Sequence, residues 1–325
     1  MTRALSLILG LLCSVATLYG PVAFSQSYPV RPIRIVIPFP PGNPADVQAR
    51  LIGEKLSARF GQPVLADNRP GASGQIGIEA VAKSAPDGYT LVVGQVGTFA
   101  VAPHVFKKLP YDVTRDFVAV SQFSSNTLVL VVSANVPVKS VQELVRLSKQ
   151  KPGALRFGSN GEGGLPHLTM ELFRAKTGVD WLHIPYKGTT QAVTDLLSGQ
   201  IDLVFDTYGG AAPHIKAGKV KALASTGARR IEAAPDLPTL IEAGVPDFEV
   251  YGWFGAFAPA GTPREIVRIL NEAISEVLNL PDVRDRLRAL GLDVGGGTPD
   301  QFAATMMDSY NLWGRVVKSI GLTPQ

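Results

Sequence analysis

Cysteine is almost absent: the 325 residues contain one, Cys13. It lies inside an apolar run, Ala4 to Leu18, that follows a basic start at Arg3 and precedes the small residues of Ala23-Phe24-Ser25. This is the layout of a secretory signal peptide over residues 1–25, with cleavage expected before Gln26. The apolar run is short for a membrane span of ~20 residues, and Leu12 stands where a lipoprotein signal needs a small residue before Cys13. The mature chain then has no cysteine, which excludes disulfide stapling, thiol catalysis and a thiolate metal site even in an oxidising compartment. Histidine is also scarce. The four present show no His-x-x-x-His or Glu-x-x-His spacing, so neither a metal centre nor a cofactor is expected. Charge is thin, with 18% Asp, Glu, Lys and Arg and a net +4 that falls to +3 without Arg3. No dense basic patch points to nucleic acid, and no segment after the leader is apolar enough to span a bilayer. Paired carboxylates are not evident. Ser, His and Asp residues occur without any spacing that carries an activation geometry, so catalysis is not expected.

Glycine (33) and proline (25) are plentiful, and short apolar runs alternate with helical patterns along the whole chain. That alternation predicts an α/β fold with mostly parallel sheets flanked by helices. Ile33–Ile37 reads as a buried strand, and 45–60 as a helix with apolar Val47, Leu51, Ile52, Leu56 and Phe60, ended by Gly61. Strands follow at 64–66, 90–93 and 128–132. The pattern restarts with a strand at 155–157, a Gly-rich turn at 158–164 and a helix at 165–177. Strands at 181–184, 201–205, 222–225 and 253–258 and helices at 263–278, 282–290 and 299–319 complete the chain. The long apolar strands 128–132 and 253–258 flank the second series, so they are expected to cross between two lobes. The resulting division is lobe one at 26–126 plus 251–325 and lobe two at 127–250, with hinge strands near 127–133 and 252–258.

The loop Pro38-Phe39-Pro40-Pro41-Gly42-Asn43-Pro44-Ala45-Asp46 delivers a helix N-terminus to a strand end. Unpaired N–H groups and the helix dipole attract an anion there. Asn43 is placed to N-cap the helix, Pro44 suits its first position, and Gly42 permits positive φ. Asp46 falls at N3, where its carboxylate can itself occupy the positive helix end, so an ordinary capped turn is the competing reading. The turn 158–164 offers Ser159, Asn160 and free backbone N–H groups that could wrap a carboxylate; a flexible turn is the alternative. It is neither a Walker A loop, lacking Gly-Lys-Ser/Thr, nor Gly-x-Ser-x-Gly, lacking the first glycine. His167 is expected as a hydrogen-bonding residue behind this loop. Tyr186 and Lys187 follow a strand end and are expected to face the cleft, where Lys187 is either an anion contact or a solvated lysine. Asp206, at another strand end, is either a reader of ligand donors or the cap of the next helix.

Pro38-Phe39-Pro40-Pro41-Gly42 with Asp46, Asp67-Asn68-Arg69-Pro70-Gly71, Ala85-Pro86-Asp87-Gly88-Tyr89 and Leu109-Pro110-Tyr111-Asp112 occur in this order. They are followed by Gly158-Ser159 with Gly161, Gly163 and His167, then His183-Ile184-Pro185-Tyr186-Lys187-Gly188, Gly199-Gln200-Ile201-Asp202 and Pro259-Ala260-Gly261-Thr262-Pro263. Over the whole mature chain this series resembles the tripartite tricarboxylate transporter receptors, also called Bug solute-binding proteins. The resemblance implies a two-lobed type II periplasmic binding-protein fold, a small organic acid ligand in the cleft between lobes, and membrane transporter subunits as partners of a periplasmic monomer. A ligand sensor feeding a signalling partner is the alternative implied role. Carried over by motif, ligand contacts fall on Phe39, Gly42, Asn43 and Ala45 of the first loop, and in the second lobe on Ser159, His167 and Asp206, then Lys187. The reading of the loops themselves adds Asp46, Asn160 and Gly163 to the candidate ligand-binding residues. Asn43 replaces a second glycine usual in the family, and Gly164 stands where a hydroxyl residue is common.

Overall fold

The computed structural model describes residues 28–186 and 188–322. The expected leader over 1–25 and Lys187 lie outside the described residues. Parallel strands β1 (Ile33–Ile37), β2 (Val64–Asn68) and β3 (Thr90–Gln95) open a first half-sheet. Helix α1 (Pro44–Phe60) connects β1 to β2. Its start is set by Asn43, whose side chain accepts from the Ala45 N–H, and its end by Gly61 at φ +64°, whose N–H closes on the Ser57 carbonyl. Ala45, Ala49, Ile52 and Leu56 form its buried face, the repeat expected of an amphipathic helix.

After α2 (Gln75–Ala82) and β3 come a π-helical turn, Gly97–Val101, and a short helix α3 (Ala102–Val105). None of this last segment was expected from the sequence. Strand β4 then runs for 17 residues, Phe117–Ser133. Its first part pairs antiparallel with β9 (Tyr251–Pro259) and β10 (Asp293–Gly296), and its last part with β7 (Leu203–Thr207) and β8 (Val220–Ser225). Between them the second half-sheet is extended by parallel β5 (Arg156–Ser159) and β6 (Leu182–Pro185). The whole order is β2-β1-β3-β9-β4-β7-β5-β6, with β8 and β10 as further partners of β4. Of the two strands expected to cross, β4 is paired in both halves. β9 is paired along its length with β3 and β4 and begins where β4 changes partners.

Helices α4 (Val141–Gln150), α5 (Leu165–Thr177), α6 (Thr189–Ser198) and α7 (Tyr208–Lys216) flank the second half-sheet, and α8 (Arg264–Leu278), α9 (Pro281–Ala289) and α10 (Pro299–Ser319) the first. Leu128, Leu130 and Val132 face one core, which also holds Phe157, Phe173, Phe205, Trp253, Phe257 and Trp313. Val129 and Val131 face the other, with Ala192, Leu196, Val204 and Ala211. Successive strand residues point to opposite faces. A strand buried on both therefore reads as one unbroken apolar run.

The register positions the functional loops. Gln95 at the end of β3 pairs with Phe254, which also pairs with Ser124, so the carboxyl end of β3 points along β4 toward Asn126. From the other half, Thr207 at the end of β7 pairs with Leu128. The carboxyl ends of both parallel sets thus converge on residues 126–128. Clefts outside the carboxyl ends of strands are where α/β sheets bind small ligands.

Candidate functional site

The first loop keeps its shape largely through Asp46. This residue is 3% exposed. Its Oδ2 accepts the Gly42 N–H at 2.9 Å, and its Oδ1 accepts from Arg50 Nε and Asn68 Nδ2, each at 2.9 Å. Burial works to raise the Asp46 pKa, but the Gly42 N–H, Asn68 and Arg50 outweigh it and hold the carboxyl below its ordinary range. Asn68 also donates to the Phe39 carbonyl at 3.1 Å. Asn68 is thus the brace between β2 and the first loop, a role the sequence did not reveal beyond its place in the Asp67–Gly71 motif. Gly42 has φ +84°, and a Cβ there would meet nothing within 4 Å; its requirement for glycine is purely conformational. Asn43 sits at φ −66° and ψ 151°, ordinary extended backbone. The turn therefore needs no glycine at this position, and Asn43 serves as the cap. The Ala45 N–H is used by that cap at 2.9 Å.

The wall beside this loop is the turn Gly71–Gly74. All four residues have positive φ, including Ala72 at 46° and Ser73 at 56°. A Cβ on Gly74 would lie 3.3 Å from both the Pro38 and the Thr98 side chains. The π-helical segment therefore closes one side of the first loop. The same segment continues to Val105, which a Cβ on Gly163 would meet at 3.6 Å, so the second loop borders it as well.

In the second loop, Ser159 is 2% exposed. Its Oγ lies 2.7 Å from His183 Nε2 and donates to the Gly161 carbonyl at 3.1 Å. The Gly163 N–H donates to His167 Nδ1 at 3.0 Å. His167 is therefore behind the loop, as expected, and His183 joins it there although it was expected only as part of a motif. Burial first, then the Arg174 charge, pulls His167 down to about 4. Burial first, then the neighbouring His167, pulls His183 to about 4 as well. Asn160 is exposed, and its Oδ1 would lie 2.2 Å from a Cβ on Gly164. The missing side chain at 164 and the asparagine at 160 are a matched pair. Helix α5 starts at Gly164 with no side chain capping it, and α6 starts at Gly188 in the same way. Of the two loops, the second thus leads into a helix start without a side-chain cap, whereas α1 is capped by its own Asn43 and Asp46; in the first half α2, α8 and α9 also start without one.

Two expectations are corrected. Asp206 does not cap the next helix: Thr207 does, its hydroxyl accepting the Gly210 N–H at 3.2 Å. Asp206 is 6% exposed, takes the Thr207 N–H at 2.7 Å, and lines a small space with Val131, Val204, Ala211 and His214. Burial raises its pKa, against the Thr207 hydrogen bond and His214. Tyr186 does not offer its hydroxyl to the cleft, because it donates to Asp195 of α6 at 2.7 Å. Among the described residues, no group of three or more His, Cys, Asp or Glu is placed to hold a metal ion, and no helix is long and apolar enough to cross a membrane.

Two half-sheets share one long strand, and the carboxyl-end loops of both converge beside it, where α/β sheets bind small ligands. A family profile described as "Tripartite tricarboxylate transporter family receptor" matches residues 48–322, and the chain belongs to that family. It is 38% identical over 322 residues to protein BugT of Bordetella pertussis, covering 99% of this chain and 98% of BugT. The solved structure of R. palustris Rpa4515 with adipate is 36% identical, with a TM-score of 0.78 over 92% of this chain and 100% of that one. MatC of Rhodopseudomonas palustris with bound malate is 36% identical, with a TM-score of 0.74 over 89% and 100%. The fold is that of a two-lobed type II periplasmic binding protein.

Proposed function

We propose that this protein captures a small organic dicarboxylate between its lobes and delivers it to the membrane subunits of a tripartite tricarboxylate-type transporter. The observation that carries the reading is the convergence of both sets of carboxyl-end loops on residues 126–128 of β4. Lobe one comprises 26–126 and 251–325, lobe two 127–250, and the hinge lies near 127–133 and 252–258. Ligand binding closes the lobes about that hinge. One carboxylate is held at the uncapped start of α5 by the backbone N–H groups of Asn160 and Glu162, those of Gly161, Gly163 and Gly164 being used within the loop. The first loop is shaped by Asp46, Asn43 and Asn68, which take the Gly42 N–H, the Ala45 N–H and the Phe39 carbonyl; it offers its remaining backbone groups rather than the Asp46 carboxylate itself. Lys187, next to the uncapped start of α6, is an anion contact in this reading. The ligand-bound neighbours, one with adipate and one with malate, support a dicarboxylate.

The protein is read as a binder that does no chemistry on its ligand. Ser159 and His183 are in hydrogen-bond reach, but the serine is buried and engaged within its own loop. Secretion through the leader places the protein in the periplasm, as a monomer without cofactor. Thermal unfolding of the mature protein with succinate, malate, adipate and their diamides tests the reading. At 100 times the dissociation constant a ligand adds ~2.7 kcal/mol. Stabilisation by a diacid and none by its diamide is expected; equal response to both would refute it.

A further inference from the structure

The second loop is fastened at both ends by an imidazole. Ser159 Oγ meets His183 Nε2 at 2.7 Å, and the Gly163 N–H donates to His167 Nδ1 at 3.0 Å. The two rings are stacked with centroids 4.1 Å apart and planes 12° from parallel. His183 also stacks on Phe157 at 4.6 Å. Phe157 is fully buried in the core behind the loop, so the pair transmits the rigidity of the core to the loop.

Accepting the Gly163 N–H fixes the tautomer of His167. Its Nδ1 is bare, and its proton sits on Nε2, which lies 3.8 Å from Glu171 Oε1. A second proton must enter at Nδ1, where an N–H already points, and two donors cannot share that position. The charged groups facing the pair are Glu171 and Arg174 on α5 and Glu162 on the loop. Glu171 is already committed to Arg174 at 2.7 Å and 2.9 Å, so it is a poor counter-ion for a new imidazolium. Stacked rings at this distance also repel if both are charged.

We propose that His167 and His183 are the positioning residues of the ligand-facing loop, that they do this as an uncharged stacked pair, and that acid unfastens the loop by forcing a proton onto His167 Nδ1, so that the receptor releases its ligand. This rests on the binding role proposed above for the 159–164 loop. Burial that holds both rings down to about 4 keeps the fastening intact through neutral and mildly acidic conditions.

The test uses the mature protein labelled with nitrogen-15, with and without adipate or malate. In ligand-free protein at pH 7, His167 is expected to show a bare Nδ1. Both rings should titrate well below 6.5, and the Gly161 and Gly163 amide signals should move with them. A protonated Nδ1 on His167 at pH 7, or Gly163 unmoved while the ring titrates, would overturn the proposal whether or not a ligand is bound. His167→Asn keeps an acceptor at the δ position, and His183→Gln keeps an N–H donor to Ser159 Oγ at the ε position. Both should retain affinity within about threefold at pH 7 and show none of the extra acid-driven loss seen in wild type beyond the ligand's own titration. His167→Leu should lose about tenfold, the worth of one hydrogen bond. An acid-driven loss unchanged in His167→Asn would refute the device. Failure of every diacid to bind would instead refute the receptor reading, while the ring and amide titrations still decide the loop.

Discussion

Replacing Asp46 by asparagine keeps the shape of the first loop's brace and removes its charge. The carboxylate now serves three donors, Gly42 N–H through Oδ2 and Arg50 and Asn68 through Oδ1. An amide has one oxygen. If that oxygen stays with Arg50 and Asn68, its NH₂ confronts the Gly42 N–H; if it flips, the NH₂ confronts the other two. Arg50 is half exposed, so its share is small, within ~1 kcal/mol. Losing the bond to Gly42 and weakening that to Asn68 removes ~2–3 kcal/mol, using ~1.5–3 kcal/mol for a hydrogen bond to a charged group and ~1 for a neutral one. For roughly 300 folded residues, at ~2.1 cal/mol/K of unfolding entropy each, that lowers Tm by roughly 3–5 °C. Calorimetry or urea unfolding of the ligand-free mature protein reads it directly. The pH dependence supplies a control. Because the folded pKa of Asp46 lies below 3.8, its contribution is complete above that value and is lost as pH falls through the lower folded value. The gap between wild type and Asp46→Asn should therefore close in strong acid. An Asp46→Asn protein as stable as wild type but deficient in ligand binding would show that the carboxylate reads the ligand instead of bracing the loop.

Asn43→Gly removes the cap at a cost of a few tenths of a kcal/mol, and should change relative affinities across a diacid panel more than it changes Tm; unaltered binding would make Asn43 a cap alone. Gly163→Val must place a branched side chain at φ +72° within reach of Val105 and should weaken diacid binding at least tenfold by titration calorimetry. Ser73→Gly relieves a non-glycine residue at φ +56° and should stabilise by ~1 kcal/mol in urea unfolding; a loss would mean the hydroxyl has an unrecognised partner. His167 and His183 have folded values near 4 against 6.5, so their stabilisation is complete above pH 6.5 and is lost as pH falls toward 4. Asp206, raised above 3.8, acts in the opposite sense. Urea midpoints at pH 7 and 4.5 should differ in wild type, and less so in the His167→Asn, His183→Gln double variant.

Strands buried on both faces were legible because nothing interrupts their apolar runs, as in Leu128–Val132; Ile33–Ile37 is broken only by the exposed Arg34. The first two-thirds of β4 was hidden because Ser121, Ser124, Asn126 and Thr127 are polar yet buried. One of them, Ser124, is satisfied by a residue 76 positions away, donating to Gln48 at 2.6 Å, which no local pattern reveals. The π-helical segment was missed because it lacks a helical repeat, and it turns out to border both loops. At the site, glycines and caps marked the turns at 38–46 and 158–164. What the sequence could not convey is how side chains are shared across elements: Asn68 bracing Phe39 and Asp46, Thr207 taking the cap that Asp206 was a candidate for, and His183 reaching the hydroxyl of Ser159. The Asn68 and His183 contacts depend on strand register, which the chain order of motifs does not state, and the cap was a choice between two neighbouring residues.

The most direct test of the receptor reading is titration calorimetry of the mature protein with adipate and malate, each against its diamide. The account predicts saturable one-to-one binding of a diacid, at least a hundredfold weaker binding of its diamide, and loss of binding in Gly163→Val while the fold is retained. Equal affinity for diacid and diamide, or undiminished binding in a folded Gly163→Val protein, would contradict it.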